Sequence, residues 1–131
     1  MKKTPLLNSA LSEVIASLGH GDLLVIADAG LPIPPQTRRI DLALTKNLPS
    51  FLDTVRTVLQ EMQVEKALLA RETAQVSPQV RAQVAELLEG VPFEEISHAE
   101  LKSLCAQARA VVRTGEFTPY ANIILVAGVV F

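Results

Sequence analysis

The chain has 131 residues, enough for one compact core and too few for two, so residues 1–131 are expected to form a single domain. Apolar residues make up 49% and charged residues 20%, a globular balance that excludes a disordered or fibrous chain. Twelve Lys and Arg against fourteen Asp and Glu leave a net charge of −2, and aromatic residues are only 4% with no Trp. Neither a phosphate-seeking polycation nor a base-stacking platform is present, so nucleic acid is not the expected partner.

One cysteine, Cys105, cannot close an intrachain disulfide, which fits a reducing compartment. Met1-Lys2-Lys3 is basic, but only Leu6 and Leu7 precede the polar Asn8 and Ser9, too little for the apolar core of a signal peptide. The apolar run Ile123 to Phe131 is far shorter than the ~20 residues of a membrane-spanning helix. The expectation is a cytoplasmic protein with no membrane partner.

In chain order, Leu11, Val14, Ile15 and Leu18 share one face of a helix capped by Asn8 and stopped at Gly19. Leu23 to Ala27 is a continuous apolar run, the pattern of a strand buried on both faces. In Leu31-Pro32-Ile33-Pro34-Pro35 the prolines have no N–H for a ladder, so the stretch reads as an ordered loop before a short strand near Ile40 to Leu44. Ser50 and Asp53 open a second helix with Leu52, Val55, Leu59 and Met62 inward, followed by a strand at Ala67 to Ala70. Ser77-Pro78 starts a helix carrying Val80, Val84, Leu87 and Leu88, ended by Gly90; a strand at Phe93 to Ile96 follows. Ser97 and Glu100 cap a helix burying Leu101, Leu104, Cys105 and Ala108, and strands near Ala110 to Arg113 and Ile123 to Val130 complete the chain. This alternation predicts a three-layer, Rossmann-like α/β sandwich around a mostly parallel sheet.

Ligands of such sheets bind at the carboxyl ends of the strands. Asp28 follows the first buried strand, His98 opens the helix after Ile96-Ser97, and Thr118-Pro119-Tyr120-Ala121-Asn122 leads into the last strand. His20 lies in Gly19-His20-Gly21-Asp22, before the first strand. Each has an ordinary alternative. A loop histidine is commonly a solvated surface group, Asp28 is suited to accept from turn N–H groups, and Tyr120 and Asn122 are able simply to pin a loop. Cys105 sits on an apolar helix face and reads as core. No metal-ligand spacing, phosphate-binding glycine loop or nucleophile elbow occurs.

Several segments together carry a resemblance: Leu18-Gly19-His20, Asp28-Ala29-Gly30-Leu31-Pro32-Ile33-Pro34, Ile40-Asp41-Leu42, Met62-Gln63-Val64-Glu65 and Arg113-Thr114-Gly115-Glu116-Phe117-Thr118-Pro119-Tyr120-Ala121-Asn122. In order and over nearly the whole chain, they resemble the D-ribose pyranases, a branch of the ribose and fucose mutarotases. The resemblance implies an isomerase that interconverts ring forms of D-ribose without a cofactor. It also implies a homo-oligomer, commonly a decamer of two pentameric rings. It makes His20 the proton donor and Asp28, His98, Tyr120, Ala121 and Asn122 the sugar contacts. A fucose-type mutarotase and a non-catalytic sugar-binding accessory are the alternatives.

Between His20 and Asp28 stand the five residues of the first strand, at roughly 3.3 Å each a separation of about 16 Å. The expectation is therefore a site shared between subunits, with His20 supplied across an interface to the Asp28, His98 and Tyr120 cluster.

Overall fold

The computed structural model describes every residue from Met1 to Phe131. Helix α1 (Ser9–Ser17) begins at Asn8, whose side chain accepts from the Leu11 amide as an N-cap. Strand β1 (Leu23–Ala27) leads through the proline-rich loop to β2 (Arg39–Asp41), and α2 (Phe51–Leu59) to β3 (Val64–Ala70). Then come α3 (Arg71–Val76), α4 (Pro78–Leu87), β4 (Phe93–Ile96), α5 (His98–Leu104) with a 3₁₀ turn at Cys105–Gln107, β5 (Ala110–Arg113) and β6 (Ile123–Ala127).

The six strands form one sheet in the order β2-β5-β1-β6-β3-β4. Pairings β1 with β5, β2 with β5 and β3 with β4 are parallel, whereas β6 runs antiparallel to both neighbours, β1 and β3. Period-2 alternation explains the layers. Leu24, Ile26, Ala67, Leu69, Val112, Ile123 and Leu125 face α1, α2 and α4 in one core. Val25, Ala27, Leu68, Ala70, Val111 and Ile124 face Leu101 and Cys105 in a second. Burial on both faces is why these strands are uninterrupted apolar runs. Each fully buried Leu or Ile contributes about 1.5–3 kcal/mol relative to exposure.

Several boundaries differ from the sequence reading, β3 beginning at Val64 rather than Ala67 and α2 ending at Leu59 before Met62, and one helix is new. β2 stops at Asp41 because the Asp41 carboxylate accepts from the Ala43 amide and turns the chain. β6 stops at Ala127, leaving Val130 and Phe131 exposed. The last helix gives way to a 3₁₀ turn at Cys105, whose thiol is buried and pushed up from its usual pKa by desolvation. α3 is the helix the apolar pattern did not predict; only Thr73 on it is buried. No helix is long and apolar enough to cross a membrane.

Candidate active site

The carboxyl ends of β1, β3, β4 and β5 lie at one edge of the sheet, together with the start of the antiparallel β6. A cavity of about 550 Å³ opens there. Its walls are Asp28 to Pro32 after β1, His98 after β4, Arg113 at the end of β5, and Glu116 to Tyr120 before β6. A volume of this size accommodates a small polar ligand.

Asp28 and Asn122 grip each other across the top of β1 and β6. The Asp28 amide donates to Asn122 Oδ1 at 2.9 Å, and Asn122 Nδ2 donates to Asp28 Oδ2 at 3.1 Å. Asp28 Oδ1 also accepts from the Gly30 amide at 2.9 Å, so the carboxylate is fixed while each oxygen keeps a lone pair for a further donor. Asn122 and Ala121 are fully buried and do not line the cavity; they stand behind it.

Tyr120 has φ of 62°, an uncommon left-handed conformation for a residue with a side chain. The bonds that hold it come largely from α3 and its end. Thr73 Oγ1 donates to the Tyr120 carbonyl at 2.7 Å, and Ser77 Oγ donates to the Pro119 carbonyl at 2.8 Å. The Tyr120 ring meets His98 edge to face, with centroids 4.9 Å apart and planes at 86°. His98 is anchored by its backbone amide, which donates to Glu72 of α3 at 2.6 Å, and its Nδ1 is enclosed without a protein partner.

Two charged wall residues were not singled out by the sequence reading. Arg113 donates through Nε to the Ala29 carbonyl and through Nη1 to both Asp41 oxygens, each at 3.1 Å, so Nη2 is the guanidinium nitrogen without a protein partner. Glu116 Oε1 accepts from the Phe51 amide at the start of α2, and Oε2 accepts from the Thr118 amide and hydroxyl. Its backbone carbonyl also accepts from Ala29. Glu116 thus ties α2, the Asp28 loop and the Thr118–Tyr120 loop into one wall. Glu116→Ala is expected to raise KM for the cavity's ligand about tenfold with a smaller change in kcat, since it loosens a pre-formed wall rather than removing a reacting group. Steady-state measurement checks this; an unchanged KM overturns the assignment.

His20 is elsewhere. It sits at the amino end of β1, outside the cavity, with a side chain 62% exposed and Nε2 2.7 Å from Glu65 Oε2. Its loop is closed by the Gly19 amide, which donates to Asp22 at 2.8 Å, and Arg109 Nε lies 3.1 Å from the same carboxylate oxygen. The Gly19 bond, with Arg109 adding to it against a burial penalty, holds the Asp22 carboxyl below its ordinary value of 3.8. A depressed native value stabilises the fold above pH 3.8, and that contribution disappears as the pH falls through the native value. Asp22→Asn is therefore expected to be less stable than wild type at neutral pH, with the gap closing in acid; denaturant titrations along a pH series measure it.

No group of three His, Cys, Asp or Glu residues is placed to hold a metal ion. The chemistry on offer is proton transfer and hydrogen bonding: a carboxylate, an imidazole, a phenol and a spare guanidinium nitrogen around a small open cavity.

The fold and this cavity define the chain as an α/β protein with a polar-walled cavity at its strand ends. Residues 1–130 match the model of the RbsD / FucU transport protein family. A D-ribose pyranase of Chloroflexus aggregans is 70% identical and one of Symbiobacterium thermophilum 62% identical, each over the full length of both chains. Bacillus subtilis RbsD, solved in complex with D-ribose, superposes over the whole of both chains with a TM-score of 0.97 at 48% identity. A fucose mutarotase of Streptococcus pneumoniae shares the fold, with a TM-score of 0.82 at 23% identity over the full length of both chains. The chain belongs to the RbsD / FucU family.

Proposed function

We propose that this protein is a D-ribose pyranase, an isomerase that interconverts the β-pyranose and β-furanose forms of D-ribose. The observation that carries the reading is the 70% identity, without truncation on either side, to a protein bearing that activity in its name. The cavity is consistent in size and chemistry with one monosaccharide.

Opening the pyranose requires a proton at the ring oxygen as the anomeric hydroxyl loses one. The bond from C1 to the ring oxygen breaks and an aldehyde forms. Attack by the neighbouring hydroxyl then closes the five-membered ring, and the proton movements reverse. Proton transfers complete the reaction, so the reading requires no cofactor. Asp28, His98 and Tyr120 offer acceptors and donors to the hydroxyls, and Arg113 Nη2 offers one more donor. Asn122 and Ala121, sugar contacts by the family resemblance, are buried behind these groups, and the Asn122 side chain holds Asp28 in place.

His20 is the donor in this reading and comes from a neighbouring copy, because within one chain the length of β1 separates it from the cavity. The assembly is a homo-oligomer, read from the family resemblance as a decamer of two pentameric rings, and the lone Cys105 supports a cytoplasmic setting. The deciding experiment is saturation-transfer NMR on equilibrated D-ribose with catalytic protein. Accelerated exchange between ring forms is expected. Binding without acceleration overturns the enzyme in favour of a sugar-binding accessory, and exchange of L-fucose anomers alone points to a fucose-type mutarotase.

A further inference from the structure

We propose that Glu65 is the positioning residue of His20, fixing its Nε2–H tautomer so that Nδ1 is the nitrogen that exchanges a proton with the sugar. The inference rests on His20 being the proton donor and adds how that donor is set.

The local backbone is built around this pair. In the β3–β6 ladder, Val64 is opposite Ala127 and Lys66 is opposite Val126, so Glu65 is the extra residue of a β-bulge. Bulges re-aim a side chain, and they recur beside active sites. Gly128 allows the strands to pass closely here: a Cβ on it would lie 3.2 Å from Glu65 Cβ and 3.3 Å from the Glu65 nitrogen. The His20 side is fixed to the same strand. The Gly21 amide donates to the Ala127 carbonyl at 2.8 Å and the Ala127 amide to the Asp22 carbonyl at 2.9 Å, while Gly21 adopts φ of 83°, which a residue with a Cβ rarely takes. The end of β6 therefore pairs with both the histidine loop and the β3 bulge that carries the carboxylate.

The chemistry follows from the bond. A carboxylate only accepts, so the 2.7 Å contact places the proton on Nε2 and leaves Nδ1 as the free ring nitrogen. When the imidazole is protonated, Nδ1–H is the proton available to the ring oxygen. After transfer, neutral Nδ1 takes a proton back on reclosure, with Nε2–H still held by Glu65. Without the carboxylate the neutral ring divides between two tautomers and rotates freely.

With only two histidines in the chain, ¹⁵N-histidine protein gives two imidazole patterns, and a His20→Asn sample identifies which is His20. At pH about 8.5, where ordinary imidazole is neutral, the wild-type His20 pattern is expected to be that of the Nε2–H tautomer. In Glu65→Ala it becomes a mixture, kcat for ring exchange falls about tenfold, and KM stays within about twofold, with Glu65→Asp recovering part of the rate. A Glu65→Ala enzyme with unchanged kcat, or an unchanged His20 tautomer, overturns the proposal while leaving His20 as donor. A His20→Asn enzyme that still exchanges ring forms at the wild-type rate overturns the donor reading itself, and this inference with it.

Discussion

His20→Ala is expected to lower kcat for ribose ring exchange by about 10²–10⁴-fold, the usual weight of a positioned general acid. The side chain is 62% exposed and its replacement empties no cavity, so thermal stability should move by no more than about 0.5 kcal/mol. Loss of rate without loss of fold distinguishes a chemical role from a structural one. A shared site makes a further demand. His20→Ala and Asp28→Ala subunits, each inactive alone, should regain about a quarter of wild-type activity when unfolded and reassembled together, because random mixing pairs an intact donor with an intact cavity at that frequency. No recovery on mixing would place both groups in the service of one chain.

The second large effect is expected at Asn122, which never meets the cavity. Its side chain satisfies the Asp28 amide and donates to the Asp28 carboxylate from a fully buried position. Asn122→Ala orphans a backbone donor and releases the carboxylate, costing about 2–4 kcal/mol in urea unfolding and raising KM as Asp28 loses its orientation. Asn122→Asp is nearly isosteric but sets a second carboxylate where the amide donated at 3.1 Å, so it should be the worse substitution near neutral pH and recover toward acid. Comparable stability of both variants with wild type would sink the assignment of Asn122 as the clamp on Asp28.

Much of the fold was legible because burial on two faces leaves uninterrupted apolar runs, and the caps at Asn8, Ser50 and Ser97 each accept the amide their pattern predicted. Strand direction was not legible: Ile123 to Ala127 is as apolar as a parallel strand, and nothing in its periodicity records that it runs against its neighbours. α3 escaped because Arg-Glu-Thr-Ala-Gln-Val carries no apolar stripe; it buttresses the Tyr120 loop through Thr73 rather than filling the core. Strand ends pointed to Asp28, His98 and Tyr120, and the length of β1 separated His20 from them. Arg113 and Glu116 were hidden by their type, since charged residues at a strand end ordinarily read as solvated. Only the fold shows that their polar groups are taken up by the Ala29 carbonyl, Asp41, the Phe51 amide and Thr118.

The last strand in sequence occupies an interior place in the sheet, between β1 and β3. Without β6 the sheet would be two separate pieces, β2-β5-β1 and β3-β4, whose facing edges have no partner. The residues just before β6, Glu116 to Asn122, form one wall of the cavity and its clamp. Placing β6 therefore joins the sheet and seats the Glu116–Asn122 wall against Asp28 in one step, so that closing the fold and completing the site are the same event.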